Sequence, residues 1–360
     1  MRDLRKRDFR RILIIKPSSF GDVIHALPVL NGLRQRYPSA HIAWLVANSC
    51  AGLLERHTAL NEIIRFDRKR YGSLGRNLRV SVEFMEFLNQ LRARRFELVV
   101  DLQGLFRSGF LALASGAPYR VGFANAREMA WMFYTHRVAV PNRDMHAVDR
   151  NYLFAKRLGF EHVPIAFHLP VQERAVTMAE HMLAARGLRR GEQYVLMGPG
   201  TRWETKLWPA RYFAQVARQI MDHTPLRVVL IGMDVEVPLA NEVAQLAGNG
   251  IINLAGQTSL AELTALVAGA TAVVMHDSGP MHLATAFNKP MVAIYGPTNP
   301  QRTGPYNRPE SIARLELECS PCYLKRVSEC PHRHRCMNEL TPDLVFQRVM
   351  RVLEAPAGVP

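Results

Sequence analysis

Arg11–Pro28, RILIIKPSSFGDVIHALP, is the stretch whose reading decides the fold. Its first part, Ile12–Ile15, is a short apolar run, the pattern of a parallel strand buried on both faces. Lys16–Gly21 is a loop of small residues at the carboxyl end of that strand. From Asp22 the spacing turns helical, with Val23, Ile24 and Leu27 apolar. Pro28 suits the first turn of a helix running to about Tyr37, which makes Asp22–Leu27 a separate short turn. Open α/β sheets bind ligands at the carboxyl ends of their strands. Lys16, Ser18, Ser19, Asp22 and His25 therefore stand where chemistry would be placed. Taken alone, Asp22 reads more readily as a helix cap, a common role at such turns.

Outward from this stretch, strands and helices alternate. Ile42–Val46, Glu62–Asp67 and Leu98–Leu102 read as the next strands. A helix is expected at Val82–Arg95, with Val82, Met85, Leu88 and Leu91 at helical spacing. Tyr119–Phe123 and Arg137–Val140 follow as short strands, and His146–Leu158 as a helix. Gly159–Pro170, with Pro164 and Pro170, breaks the pattern and marks a domain boundary. A helix at about Gln172–Arg186 opens a second series. Its strands are Tyr194–Gly198, Arg227–Ile231, Ile251–Leu254, Ala272–His276 and Met291–Tyr295. Helices at about Ala210–Asp222, Val237–Ala247, Ser259–Ala268 and Pro280–Phe287 separate them. Such alternation implies parallel sheets covered on both faces. The expected fold class is α/β, with doubly wound domains at 1–165 and 166–340 and a cleft between them. A last helix, Pro342–Leu353 within 341–360, is expected to return to the first domain.

The chain has 360 residues, enough for two domains with full cores. At 48% hydrophobic it is globular rather than disordered. A net charge of +15 suggests an anionic partner: nucleic acid, acidic lipid headgroups or a phosphorylated small molecule. The basic start, MRDLRKRDFRR, precedes only four apolar residues, too few for a signal-peptide core. No apolar run approaches the roughly 20 residues of a membrane helix. The expected location is the cytoplasm, with the basic tail either touching an anionic membrane surface or simply solvated.

Three turns of the second series suit an anion. His276-Asp277-Ser278-Gly279-Pro280-Met281-His282 ends one strand and opens a helix, whose N-terminal amides favour a phosphate. Asp277 is a candidate for capping that helix or holding a ribose hydroxyl, and His282 lies one turn in. Gly198-Pro199-Gly200-Thr201, followed by Lys206-Leu207-Trp208-Pro209, offers glycines, a hydroxyl and a point charge. Tyr295-Gly296-Pro297-Thr298-Asn299-Pro300 is a third turn, in which Thr298 is either a ligand contact or part of a structural loop. No GxGxxG follows a strand and no GxxxxGK[ST] occurs, which argues against a nicotinamide dinucleotide and a P-loop.

In the first series, DLQGLFRS ends the fourth strand at Asp101. Arg107, Arg120, Arg127 and Arg150 are read as lying in loops or at helix starts near the same edge, suited to bidentate contact with an acidic acceptor. Cys319, Cys322, Cys330 and Cys336 form CxxC-x7-C-x5-C, a spacing that can enclose a structural metal, with His332 and His334 as substitute ligands. Two disulfides are the alternative, disfavoured in a reducing compartment. Cys50 stands apart and is expected to be buried.

Taken together, KPSSFGDVIHALP, DLQGLFRS, GPGTRWETKLWP, HDSGPMHLATA and YGPT, in this order, resemble the bacterial lipopolysaccharide heptosyltransferases of glycosyltransferase family 9. The likeness spans about Arg11 to Leu340, and AREMAWMFY with HAVDRN is closest to the first-heptose group. The resemblance implies the glycosyltransferase B architecture of two facing Rossmann-like domains. It implies ADP-L-glycero-D-manno-heptose as donor on the second domain, and Kdo-lipid A or inner-core lipopolysaccharide as acceptor on the first. It implies inversion at the anomeric carbon, no metal at the reacting centre, and a place at the cytoplasmic face of the inner membrane. Asp22 matches the family's proposed general base. Lys206, Asp277, Ser278, Gly279 and His282 match donor-contacting positions, as does Thr201. Lys16, Arg107, Arg120 and Arg127 are the acceptor candidates. A zinc or iron on the four cysteines is not implied by the resemblance and rests on spacing alone.

The alternatives are a second-heptose enzyme, another NDP-sugar transferase or epimerase, a nucleic-acid-binding protein and a non-catalytic sugar-nucleotide sensor. An epimerase wants the missing dinucleotide fingerprint. Nucleic-acid binding wants exposed aromatics among the cations, and aromatics are only 8%. A sensor would have lost the base, and Asp22 is present.

Overall fold

The structure is a computed structural model that describes residues 3–73, 75–142, 144–189 and 191–354. The chain divides into two units, Met1–Pro170 and Val171–Pro360. The proline-broken stretch ending at Pro170 supplies the division.

The first unit carries β1 (Arg11–Ile15), β2 (His41–Ala47), β3 (Glu62–Phe66), β4 (Leu98–Asp101), β5 (Tyr119–Phe123) and β6 (His136–Val138). Their order in the sheet is β3-β2-β1-β4-β5-β6, every neighbour parallel. The second unit carries β7 (Tyr194–Gly198), β8 (Arg227–Leu230), β9 (Ile251–Asn253), β10 (Ala272–His276), β11 (Met291–Ile294) and β12 (Ile312–Ala313). Their order is β12-β11-β10-β7-β8-β9, also all parallel. Read from each unit's own first strand, the two orders are the same doubly wound order. Each reverses direction between its first and fourth strand, and the crevice at such a switch point is where α/β sheets take ligands.

The apolar runs form strands because both faces are covered. Ile12 to Ile15 are completely buried, as are Val99, Val100, Val195 to Met197 and Val273 to Met275. Each such side chain contributes about 1.5–3 kcal/mol relative to exposure. Trp44 lies in the first core and its Nε1 donates to Lys16 O at 3.1 Å, tying β2 to the end of β1. Pro28 opens the Leu27–Arg36 helix, and Phe20–Ile24 is the separate short helix before it.

Several details differ from the sequence expectation. The helix after β3 starts at Leu78, where Asn77 accepts a hydrogen bond from Val80 N. Its buried stripe is Phe84 and Leu91, flanked by Phe87 and Leu88, because the aromatics fill the arc facing the sheet. Val82 and Met85 are exposed on the other side. The His146–Leu158 helix is two short ones, Ala147–Tyr152 and Phe154–Leu158, and β12 is too short to show a period. The N-terminal basic residues are not a loose tail, since Leu4 and Phe9 are buried and Arg7 lies over the Tyr119 ring at 4.6 Å. The last helix, Pro342–Glu354, packs within the second unit. Val345 and Val349 are buried in that unit's core. Among the described residues no helix is long and apolar enough to cross a membrane.

Candidate functional site

In the first unit the switch point lies between β1 and β4, where Ile15 pairs with Asp101. Lys16 is the next residue, and its side chain is buried. Its ammonium donates to Leu102 O at 3.1 Å and stands 3.5 Å from Asp22 Oδ1. Ser19 is the N-cap of the Phe20–Ile24 helix, and Asp22 is the third residue of that helix. Ser19 donates to Asp22 Oδ2 twice, from its amide at 2.9 Å and its hydroxyl at 2.6 Å. The amide bond is half of a capping box. The Asp22 side chain nevertheless keeps 42% of its surface exposed. Burial pulls its pKa up, but Lys16, the two Ser19 bonds and His25 together outweigh burial. The carboxyl is held well below the usual carboxylate range and stays ionised. Asp22 is thus both cap and accessible carboxylate, and Lys16 is its charge partner.

Asp101 ends β4 fully buried, and accepts from Gln103 N at 2.8 Å, Gly104 N at 3.2 Å and Tyr134 OH at 2.7 Å. It shapes the turn after β4 rather than meeting a ligand. That turn meets the loop after β5: Arg127 N donates to Gly104 O at 3.0 Å, and Phe106 N donates to Glu128 Oε2 at 3.1 Å. Arg107 and Arg127 are therefore brought together, exposed, at the carboxyl edge. Arg120 is not with them. It lies within β5 beside Val99, and its guanidinium donates to Phe133 O at 2.7 Å and Ala117 O at 2.6 Å. Those two carbonyls occupy it, and its place in the strand removes it from the loops. Arg150 packs over the Phe123 ring at 4.1 Å. A hollow of about 440 Å³ opens where β2 and β3 end, lined by Asn48, Arg65, Asp67, Arg70 and Glu83 among others. Sequence reading missed these residues, which carry no motif. A larger hollow of about 620 Å³, with Arg92, Arg95 and Phe96, lies by the opposite end of the sheet.

In the second unit the switch point lies between β7 and β10, where Gly198 pairs with Met275. Lys206 ends a three-residue turn, Glu204–Lys206, in the loop after β7. Its ammonium donates to Asp277 Oδ2 at 2.6 Å and Asp277 O at 3.3 Å. Thr298, from the turn after β11, donates to the same Oδ2 at 2.8 Å. Asp277 and Thr298 are buried, so Asp277 joins two loops and aims Lys206. The lysine lies 4.5 Å from the centroid of the Trp203 ring, a cation–π contact. Thr298 belongs to the set as a structural contact, and Trp203 carries no signal in the sequence.

Ser278 is the N-cap of the Gly279–Ala286 helix, but no side chain caps it. Pro280 has no N–H, so the first-turn amides of Gly279 and Met281 are those suited to an anion. His282 is buried one turn in. His276, fully buried, accepts from Trp208 N at 2.8 Å through Nε2. Burial pushes its pKa down to about 3, so the ring is neutral and anchors the Lys206 loop to the end of β10. Thr201 is half-buried in that loop. Gly200 differs from expectation: the Glu236 carboxyl lies so close that a Cβ there would collide with it. A carboxylate at that place suits a sugar hydroxyl better than a phosphate. Burial raises the Glu236 pKa against the Met233 amide, which donates to it at 2.8 Å, and against Arg202.

The five cysteines are free thiols, Cys50 and Cys336 buried. The Cys336 thiol is pushed up to about 11, first by burial and then by Cys322, Cys330 and Cys319. Among the described residues, however, no three or more His, Cys, Asp or Glu side chains are arranged to hold a metal ion.

Residues 84–332 match the family model for glycosyltransferase family 9 (heptosyltransferase). The chain is 30% identical over 315 residues to lipopolysaccharide heptosyltransferase 1 of Escherichia coli K12, covering 86% of this chain and 94% of that protein. It is 30% identical over 369 residues to lipopolysaccharide heptosyltransferase 1 of Pseudomonas aeruginosa, covering 96% and 99%. Among solved structures it resembles E. coli heptosyltransferase WaaC with ADP-2-deoxy-2-fluoro heptose, at a TM-score of 0.72, 26% identity and 95% and 99% coverage.

Proposed function

The chain belongs to glycosyltransferase family 9, the heptosyltransferases, and from that premise we propose that it transfers L-glycero-D-manno-heptose from ADP-heptose to the Kdo region of the lipopolysaccharide inner core, with inversion and with Asp22 as general base. It is a glycosyltransferase of lipopolysaccharide core biosynthesis. One observation supports the finer reading above the others. Each switch point carries half of the chemistry: an ionised, accessible carboxylate after β1, and a lysine beside an uncapped helix N-terminus after β7 and β10.

In this reading the second unit holds the ADP. Lys206 and the amides of Gly279 and Met281 meet the diphosphate, whose charge grows as the anomeric bond breaks. Asp277 and Thr298 keep Lys206 aimed. Glu236 accepts from a sugar hydroxyl. The first unit holds the acceptor, with Arg107 and Arg127 on its acidic groups. Asp22 accepts the hydroxyl proton as the new C–O bond forms. A carboxylate of such low pKa takes that proton only late, once bond formation has acidified the hydroxyl.

The acceptor is lipid-anchored in this reading, and the first unit has a surface suited to an anionic bilayer. Leu78 starts the helix after β3, Phe106 starts the helix after β4, and Met129 and Trp131 follow β5. All four are exposed, Leu78 at 82%, and lie toward the edge that carries Asp22. Arg76, Arg79, Arg107 and Arg127 are exposed nearby in sequence. Apolar groups among cations are the pattern of peripheral binding at the cytoplasmic face of a membrane. We keep any metal outside the mechanism. One zinc or iron per chain by elemental analysis, lost in Cys330→Ser, would establish the structural ion that the cysteine spacing suggests.

The test is incubation with ADP-heptose and Kdo-lipid A, with mass analysis of the glycolipid. A gain of one heptose is expected. No gain on that acceptor, with gain on an already heptosylated one, would assign the second-heptose reaction instead.

A further inference from the structure

Residues 319–340 are the part of the second unit that the mechanism leaves without a role. Cysteine content drew attention to them, yet what they do geometrically is grip the Lys206 loop. Thr205, the neighbour of Lys206, is buried. Its hydroxyl donates to Leu324 O at 2.5 Å, and its carbonyl accepts from His334 Nε2 at 2.7 Å. Val327 N donates to Glu204 Oε2 at 3.2 Å. The Lys325 ammonium lies 5.3 Å from the Trp203 ring centroid, the same ring that Lys206 approaches. The segment also holds the Thr298 turn: Ser320 Oγ donates to Gly296 O at 2.5 Å and Tyr323 N to Pro297 O at 2.8 Å. Both loops that meet at Asp277 are therefore held from one side by one stretch of chain.

A three-residue turn does not hold its own shape, since so short a helical piece makes too few bonds to offset its ordering. The direction of the Lys206 side chain must come from what fixes residues 203–206. His334 is buried, and its bond fixes the carbonyl one residue before the lysine. We propose that His334 is a positioning residue for Lys206, and that residues 319–340 brace the donor loop. The proposal rests on Lys206 being the contact for the donor's diphosphate.

Two measurements test it, and the first needs no ligand. Hydrogen exchange on the full chain should show the Lys206 and Leu207 amides, which bond to Trp203 O and Glu204 O, exchanging at least about tenfold faster in His334→Ala. Exchange in the first unit should not change. His334→Gln, which can present a donor at the same reach, should restore most of the protection. Titration with ADP should show about a tenfold weaker Kd in His334→Ala, and kinetics should show a raised KM for ADP-heptose together with a lowered kcat, because a misplaced Lys206 also stabilises the departing diphosphate less. Thr205→Val, nearly isosteric, should act in the same direction and covers the case in which His334→Ala fails to fold. Unchanged exchange in both variants would overturn the brace. Faster exchange with unaltered ADP affinity would overturn the role in donor binding. If the wild-type chain itself did not bind ADP, the donor reading would fall, and this role with it, while exchange would still report whether the brace exists.

Discussion

Asp22 divides its work between two oxygens. Oδ2 takes both Ser19 bonds and is committed to structure, whereas Oδ1 faces the Lys16 ammonium at 3.5 Å. Asp22→Asn keeps an acceptor for the cap and removes the base. Transfer should fall about 10²–10⁴-fold, while ADP affinity stays within about twofold. Wild-type turnover in that variant would remove Asp22 from the mechanism. Lys16→Met tests the charge partner. With the ammonium gone, burial is left to raise the Asp22 pKa, so the acidic limb of kcat/KM should move to higher pH than in the wild type. The sign for stability is the same. A depressed folded pKa adds stability above the unfolded value of about 3.9 and loses it as pH falls toward the folded pKa, and Lys16→Met should weaken that dependence.

At the scale of elements, the end of β10 anchors the Lys206 loop through a neutral histidine. His276 is held near 3 by burial, so the folded state binds fewer protons than the unfolded state between the two pKa values. Stability of the second unit should be level above about pH 6.5 and fall as pH drops from there toward 3. His276→Gln, which still offers an acceptor to Trp208 N, should flatten that fall in urea titrations at several pH values. In the proposed donor site, the amides of the helix that follows and Lys206 share the diphosphate charge. Lys206→Met should weaken ADP binding roughly 10–100-fold and reduce its salt dependence, measured by calorimetry at two ionic strengths. An unchanged affinity would move the diphosphate elsewhere.

For the whole molecule, a net charge of +15 bears on the proposed binding to an anionic bilayer. Residues 3–10 pack against the first unit beside Tyr119, at the amino end of β5. In the proposed reading, the exposed Leu78, Phe106, Met129 and Trp131 of the first unit form the apolar part of the binding surface. Wild-type protein should sediment with phosphatidylglycerol vesicles, not with phosphatidylcholine vesicles, and release with salt. Leu78→Ser combined with Met129→Ser should abolish sedimentation and leave transfer to a detergent-dispersed acceptor unchanged. Equal sedimentation of the variant would place the membrane contact on another face.

The doubly wound fold was legible because burial on both faces writes itself locally. Four or five successive apolar residues, as in Ile12–Ile15 or Ala272–Met275, can satisfy that demand only as interior strands. The separate turn at Asp22 was legible too, because Pro28 must open a helix. Helix faces were less so, since spacing alone cannot say which arc meets the sheet, and Phe84 rather than Val82 faces inward. Partners were not legible at all. Lys16 could be a ligand contact or a charge partner until the fold set it beside Asp22. Arg120 looked like Arg107 and Arg127 until strand pairing put it beside Val99 with its donors on carbonyls. Lys206 and Asp277 meet because β7 and β10, 71 positions apart along the chain at these residues, are neighbours in the sheet. The amino-acid pattern thus determined the strands, the turns at their ends and the residue types on those turns, because burial and backbone geometry act over a few residues. Which of those residues touch was decided by the tertiary structure, because hydrogen bonds and ion pairs depend on distances that only strand order sets.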